Sequence, residues 1–327
     1  MPTWGGILKQ LRKVQKETKK APFDLVRRKY LKRLYEYTKR NTILYASSWT
    51  QPKGVPAQLL SIIDEEVQGF MEAISDLSGK ELDIILHSPG GVAEATEALV
   101  EYLRSNFDHI RVIIPHAAMS AATMFACSAN EIIMGKHSFI GPIDPQMIVP
   151  TRWGHQSIPT QAILGQFEMA KKECKEDPLN LGVWLPIIEQ YGPALIKQSE
   201  HADTLSKSLV AEWLEKYMFA HDKECREKAK KIADKLSDHA FFKSHGRHIG
   251  RTQAKSYGLK IRDLELDRKL QDLVLSVFHA TTHTFDGTNA VKIIENHLGT
   301  AFVKVFRVVA EVADKKKTLK PKRKRRR

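Results

Sequence analysis

Cysteine is scarce: Cys127, Cys174 and Cys225 are the whole supply in 327 residues. An odd number at wide spacing builds neither a disulfide framework nor a zinc site, and fits a reducing compartment. Long apolar runs are missing too. The most apolar stretch, 112–134, is interrupted by His116, Ser120, Asn130 and Glu131. Its pieces are too short to span a bilayer, so a strand followed by a buried helix is expected there. Residues 1–30 carry no apolar leader core, and no secretory signal is expected; the chain reads as cytoplasmic. No G-x-x-x-x-G-K-[ST] loop is present, so energy-dependent unfolding would need a second protein. No cofactor is implied.

Acid is what the two ends lack. Residues 1–40 hold 13 Lys/Arg against Glu17, Asp24 and Glu36, and residues 315–327 hold 10 Lys/Arg and no acid. Each end therefore carries +10, so a total of +14 leaves −6 for residues 41–314. Basic ends attract nucleic acid, an anionic membrane surface or acidic protein without specifying which, and a solvated disordered tail is the plainer reading of 315–327. The PKRKRRR ending has the composition of a nucleic-acid or targeting patch, with no RNA-binding aromatic motif beside it.

What is present is an alternation of apolar strands and amphipathic helices. Residues 5–40 read as a basic helical arm broken at Pro22, packed on a partner subunit or lying on a surface. Strands are expected at 41–49, 82–87, 110–115 and 131–134, and helices at 56–78, 93–105 and 120–129. Short connections and continuously apolar strands indicate adjacent parallel strands in a sheet covered on both faces. A long helical region is expected over 159–236, then helices at 252–258, 270–282 and 289–298, the last capped by Thr288, and a strand at 301–309. Gly258 reads as a helix-ending residue.

Two strand-to-helix turns carry the candidate chemistry. Ser88-Pro89-Gly90-Gly91 leaves a buried strand, and its glycines let backbone amides approach a ligand. Met119-Ser120-Ala121-Ala122 leaves the next strand, and Ser120 is either a helix cap or a nucleophile. Gly90 and Ser120 are 30 residues apart, with one helix and one strand between. Adjacent parallel strands would bring both turns to one sheet end, so a hydroxyl and oxyanion-binding amides would face each other.

The strings HSPGG at 87–91, PHAAMSAATMFACSANEIIM at 115–134 and GPIDPQ at 141–146, with Lys243-Ser244-His245 and AKSYGL at 254–259, resemble the serine dehydrogenase proteinase family. That family is a distant relative of Clp protease and signal peptide peptidase SppA, and the resemblance covers roughly residues 41–262. It implies an α/β, Clp/crotonase-like fold: a repeated β-β-α superhelix with a mostly parallel sheet, here with helical N- and C-terminal extensions. The division implied is a basic helical arm at 1–40, a peptidase domain at 41–265, a helical and strand extension at 266–314 and a basic tail at 315–327. It further implies a homo-oligomer acting on peptides or unfolded protein. By motif, Ser120 would be the nucleophile, Asp144 the acid and His245 the base, with Gly90, Gly91 and Ala121 as the oxyanion hole. SppA-like relatives use a Ser–Lys dyad, for which Lys171 or Lys172 stands at about the right distance. Relatives commonly have glycine after the serine, where this chain has Ala121-Ala122. Two other classes remain open: a crotonase-type acyl-CoA enzyme without a serine nucleophile, and an inactive Clp-like assembly module with basic termini. His279 and His283, at i, i+4, lack a third ligand and read as packing residues. Asp286-Gly287 is a turn signal without calcium-loop carboxylates.

Overall fold

The computed structural model describes residues 2–18, 21–51, 54–152 and 154–307; the basic tail at 315–327 lies outside them. Strands β1 (Asn41–Ser47), β2 (Glu81–His87), β3 (His109–Ile114), β5 (Glu131–Met134), β10 (Ile261–Asp263), β11 (Ala290–Asn296) and β12 (Ala301–Val305) form the main sheet. Its order is β10-β5-β3-β2-β1-β11-β12. The first five run parallel, whereas β11 is antiparallel to β1 and β12 is antiparallel to β11. A small sheet joins β4 (Ala117–Ala118), β6 (Phe139–Ile140) and β9 (Ile249–Gly250), and β7 (Gln146–Thr151) pairs with β8 (Gly154–Pro159) as a hairpin.

The side-chain alternation of each strand splits the core in two. Ile43, Tyr45, Ile84, Leu86, Val112, Ile114, Ile132 and Met134 face one layer, and Leu44, Ala46, Ile85, Ile113 and Ile133 face the other. Both faces are dry, which is why these strands read as unbroken apolar runs. The first layer is built by α4 (Glu65–Ile74), α5 (Ala93–Asn106), α6 (Ala121–Cys127), α9 (Leu195–Trp213) and α10 (Cys225–Ser237). The second is built by α1 (Trp4–Thr18), α2 (Pro22–Thr38) and α13 (Arg268–Gly287).

The basic segment at the amino end therefore packs on its own sheet: Ile7, Leu31 and Leu34 are fully buried there. Pro22 starts α2, in the first turn where its missing N–H costs nothing. The other helices are α3 (Ala57–Leu60), α7 (Thr160–Glu176), α8 (Leu181–Ile188), α11 (His239–Phe242) and α12 (Arg251–Ser256). Gly258 has φ +104 just beyond α12.

Three expectations need correction. The helix expected over 56–78 is two helices, α3 and α4, separated by an extended piece at Ile62. The helix expected over 289–298 is strand β11, because Lys292, Glu295 and Asn296 find buried partners in the sheet layer rather than solvent. The helix expected to end at 282 runs to Gly287. Residues 146–159 form the β7–β8 hairpin, which leads directly into α7.

Candidate active site

The turn after β2 is fastened to the turn after β3. Ser88 and Ala118 form a parallel bridge, the Ser88 N–H donates to the Ala117 carbonyl at 3.2 Å, and the Met119 N–H donates to the Ser88 carbonyl at 3.0 Å. Gly90 is thereby pressed against the Ser120 turn. Its φ is +94, and a Cβ there would lie 2.4 Å from the Met119 carbonyl oxygen and 2.8 Å from the Ser120 Cβ. No side chain fits, and only glycine takes that backbone conformation without strain. On the other flank the Ile62 N–H donates to the Gly90 carbonyl at 2.7 Å, and the Val92 N–H donates to the Ile62 carbonyl at 2.9 Å. The Gly90 N–H itself donates to Ser88 Oγ at 3.2 Å.

Ser120 has φ +52 and ψ −123, a conformation side chains rarely adopt. Holding a non-glycine residue there costs about 1–3 kcal/mol, and such strain clusters at functional positions. The usual reason for a serine at a helix start is capping, but the Ser120 hydroxyl makes no cap bond to α6. The Ala121 amide belongs to the first turn, where no helix carbonyl takes it. Thr123, one turn into α6, donates to the Ala118 carbonyl at 2.8 Å and accepts from the Gly141 N–H at 3.0 Å. It ties the Ser120 helix to the loop that carries Asp144.

Asp144 is fully buried and receives two imidazoles. His245 Nδ1 lies 2.8 Å from Oδ1, and His239 Nδ1 lies 2.9 Å from Oδ2. A carboxylate only accepts, so each ring carries hydrogen on Nδ1 and leaves Nε2 bare when neutral. His245 reaches Asp144 because Lys243, at φ +61, turns the chain out of α11. A cavity of about 720 Å³ is lined by Ser120, Gly90, Gly91, Ala121 and His245 together, with Met124 and Leu205 among its apolar walls. His239 is not on that wall. It had no local sequence signal; only the fold returns it to Asp144.

Lys171 and Lys172 are not brought to this cavity. They lie on α7, with side chains 49% and 77% exposed, paired with Glu168 at 2.8 Å and Glu176 at 4.0 Å. His248 stacks on Phe139 at 3.7 Å. His87 and His116 join Phe278 in an aromatic cluster. Burial, with His116 adding repulsion, pushes His87 down to about 3. His283 packs against Trp4 with the rings tilted by 35°, and its Nε2 meets the Trp4 carbonyl at 3.0 Å. Among the described residues no group of three or more His, Cys, Asp or Glu is arranged to hold a metal.

Behind the glycine turn lies a buried ion pair. Lys292 of β11 bonds Glu66 of α4 and donates to the Ser61 carbonyl at 2.7 Å, while Glu66 accepts from the Ile63 N–H at 2.6 Å. Burial pushes Glu66 up and Lys292 down, each opposed by its partner's charge. The pair clamps residues 61–63, whose central member braces Gly90 and Gly91.

The family model for ClpP-like SDH-type serine proteinases matches residues 15–178. The chain belongs to that family. The match includes Gly90, Gly91, Ser120 and Asp144 and stops before His239 and His245. Two uncharacterized proteins of Methanocaldococcus jannaschii are similar to the chain. One is 30% identical over 193 residues, covering 59% of this chain and 56% of the relative. The other is 33% identical over 94 residues, covering 29% and 33%. The chain thus spans about half the length of the first relative and a third of the second. No solved structure matches it.

Proposed function

We propose that the protein is a serine peptidase that cleaves peptide bonds through Ser120. One observation carries the reading: His245, bonded to the buried Asp144 at 2.8 Å, lines the cavity that Ser120 shares with the glycine turn. In this mechanism the bare Nε2 of His245 takes the Ser120 proton as the hydroxyl attacks the carbonyl. Asp144 holds the ring and balances the imidazolium charge, and the proton then passes to the leaving amine. Amides of the Gly90–Gly91 turn and of Ala121 would receive the tetrahedral oxyanion; with the Gly90 N–H already donating to Ser88, Gly91 and Ala121 carry most of that role. The exposed ion pairs of Lys171 and Lys172 favour His245 over a lysine base.

Peptides or unfolded protein are the proposed substrates, a homo-oligomer the proposed state and the cytoplasm the proposed setting. Among the described residues no helix is long and apolar enough to cross a membrane. The β3-β4-α6 order, followed by β5 and β6, supports a β-β-α superhelix of the Clp/crotonase kind. Lys9, Arg12, Lys13 and Lys16 on one side of α1 offer a surface for salt-sensitive contact with a polyanion.

A fluorophosphonate probe tests the reading. The wild type should be labelled at Ser120 and Ser120→Ala should not; equal labelling of both would sink the assignment. Asp144→Asn should lower peptide turnover on the order of 10⁴-fold, whereas Lys171→Ala and Lys172→Ala should keep wild-type labelling. Acyl-CoA binding without any serine labelling would favour a crotonase-type enzyme instead.

A further inference from the structure

Asp144 presents both of its oxygens to histidines that lie six residues apart in the chain, yet only His245 reaches the cavity. We propose that His239 is a positioning residue: it holds Oδ2 of Asp144 so that Oδ1 stays aligned with His245. This rests on the reading of Ser120, His245 and Asp144 as the reacting set.

A fully buried carboxylate needs its lone pairs filled, because water cannot fill them. Oδ1 has His245. Oδ2 has His239 at 2.9 Å and the Gln146 side-chain amide at 3.2 Å. Without His239, Oδ2 would keep the longer bond alone, and the carboxylate would rotate to find a second donor. Rotation moves Oδ1 off the His245 ring.

His239 is itself fixed on every side that matters. Its N–H donates to Gln161 Oε1 at 3.0 Å. The Gln161 amide donates in turn to Asp203 Oδ1 and the Ser237 carbonyl, both at 2.9 Å, which ties α7 to α9 and α10. The His239 carbonyl accepts from the Lys243 N–H at 2.6 Å, closing the turn that returns the chain to His245. One residue therefore sets both the carboxylate and the backbone entry of the base. Its Nδ1 hydrogen is committed to Asp144, and it does not line the cavity, so it positions the base without touching substrate.

The test compares His239→Leu, which removes the donor, with His239→Asn, whose amide nitrogen takes the place of Nδ1. Fluorophosphonate labelling rate and kcat and KM on a peptide substrate are measured, with thermal unfolding as the control. His239→Leu should lower kcat and labelling on the order of 100-fold, the scale of a small misplacement of a reacting group. KM should not move. His239→Asn should recover most of the loss. A folded His239→Leu protein with wild-type kcat overturns the proposal. So does a folded His239→Asn protein as inert as Ser120→Ala, because His239 would then be the base itself. If Leu at 239 prevents folding, His239→Ala takes its place: lower kcat that His239→Asn recovers upholds the role, and wild-type kcat in His239→Ala overturns it. Wild-type protein that fails to label at Ser120 would sink the peptidase reading first, a result distinct from either of these.

Discussion

Ile62 and Gly91 pair as a single parallel bridge so close that a Cβ on the glycine would fall 2.2 Å from the Ile62 carbonyl oxygen and 2.4 Å from its nitrogen. The obstacle is backbone on both sides, so no side chain can swing away to make room. Gly91→Ala should part the two segments, destabilise the fold by about 1–3 kcal/mol and lower fluorophosphonate labelling at Ser120. A denaturant midpoint and a labelling rate equal to wild type would show that the bridge does not brace the cavity.

The strained backbone at Ser120 predicts a trade between stability and labelling. Glycine accepts φ +52 without penalty, so Ser120→Gly should raise stability by about 1 kcal/mol relative to Ser120→Ala, while both lose labelling. Differential scanning calorimetry of the two variants decides it. Equal melting temperatures would mean that the serine sits without strain.

Lys292 and Glu66 predict a non-additive pair. Both side chains are essentially inaccessible to water, at 0% and 1% exposure. Lys292→Met alone strands a buried carboxylate and should cost about 3–5 kcal/mol. Adding Glu66→Leu removes the stranded charge and should return a large part of that loss. A double-mutant cycle in urea measures this; additive losses would remove the coupling.

Acid should weaken the fold through His87. Its folded value lies near 3, below the ordinary 6.5, so the unfolded chain binds the proton more readily in between. Its contribution is complete above pH 6.5 and is lost as pH falls toward 3. Between pH 7 and pH 5 the loss is about 2 kcal/mol. His87→Gln should flatten the stability–pH curve over that interval, and an unchanged slope would show that His87 is not the group responsible.

The parallel strands and both turns were legible because they depend on local pattern: apolar runs bounded by Ser88-Pro89-Gly90-Gly91 and by Met119-Ser120. What stayed hidden depends on partners far along the chain. Lys292, Glu295 and Asn296 stand three and four residues apart like a solvated helix face, yet Glu66, Arg27 with Arg28, and the Ala73 carbonyl bury them in a strand. The apolar spacing of 56–78 suits one helix, but pairing of Ile62 with the glycine turn outweighs it. His239 carries no local signal, since nothing within a few positions announces Asp144, 95 residues away.

The order of Lys292 after the candidate site residues also bears on synthesis. Ser120, Asp144 and His245 all leave the ribosome before the residue that locks Glu66 and the 61–63 segment. The second helical layer likewise waits for α13. On the proposed assignment, a released chain ending at residue 288 would carry the hydroxyl, ring and carboxylate while the Gly90–Gly91 turn is still unsupported, and it should not react with the probe. On that assignment, the lateness of one lysine postpones attack by Ser120 until the sheet is complete.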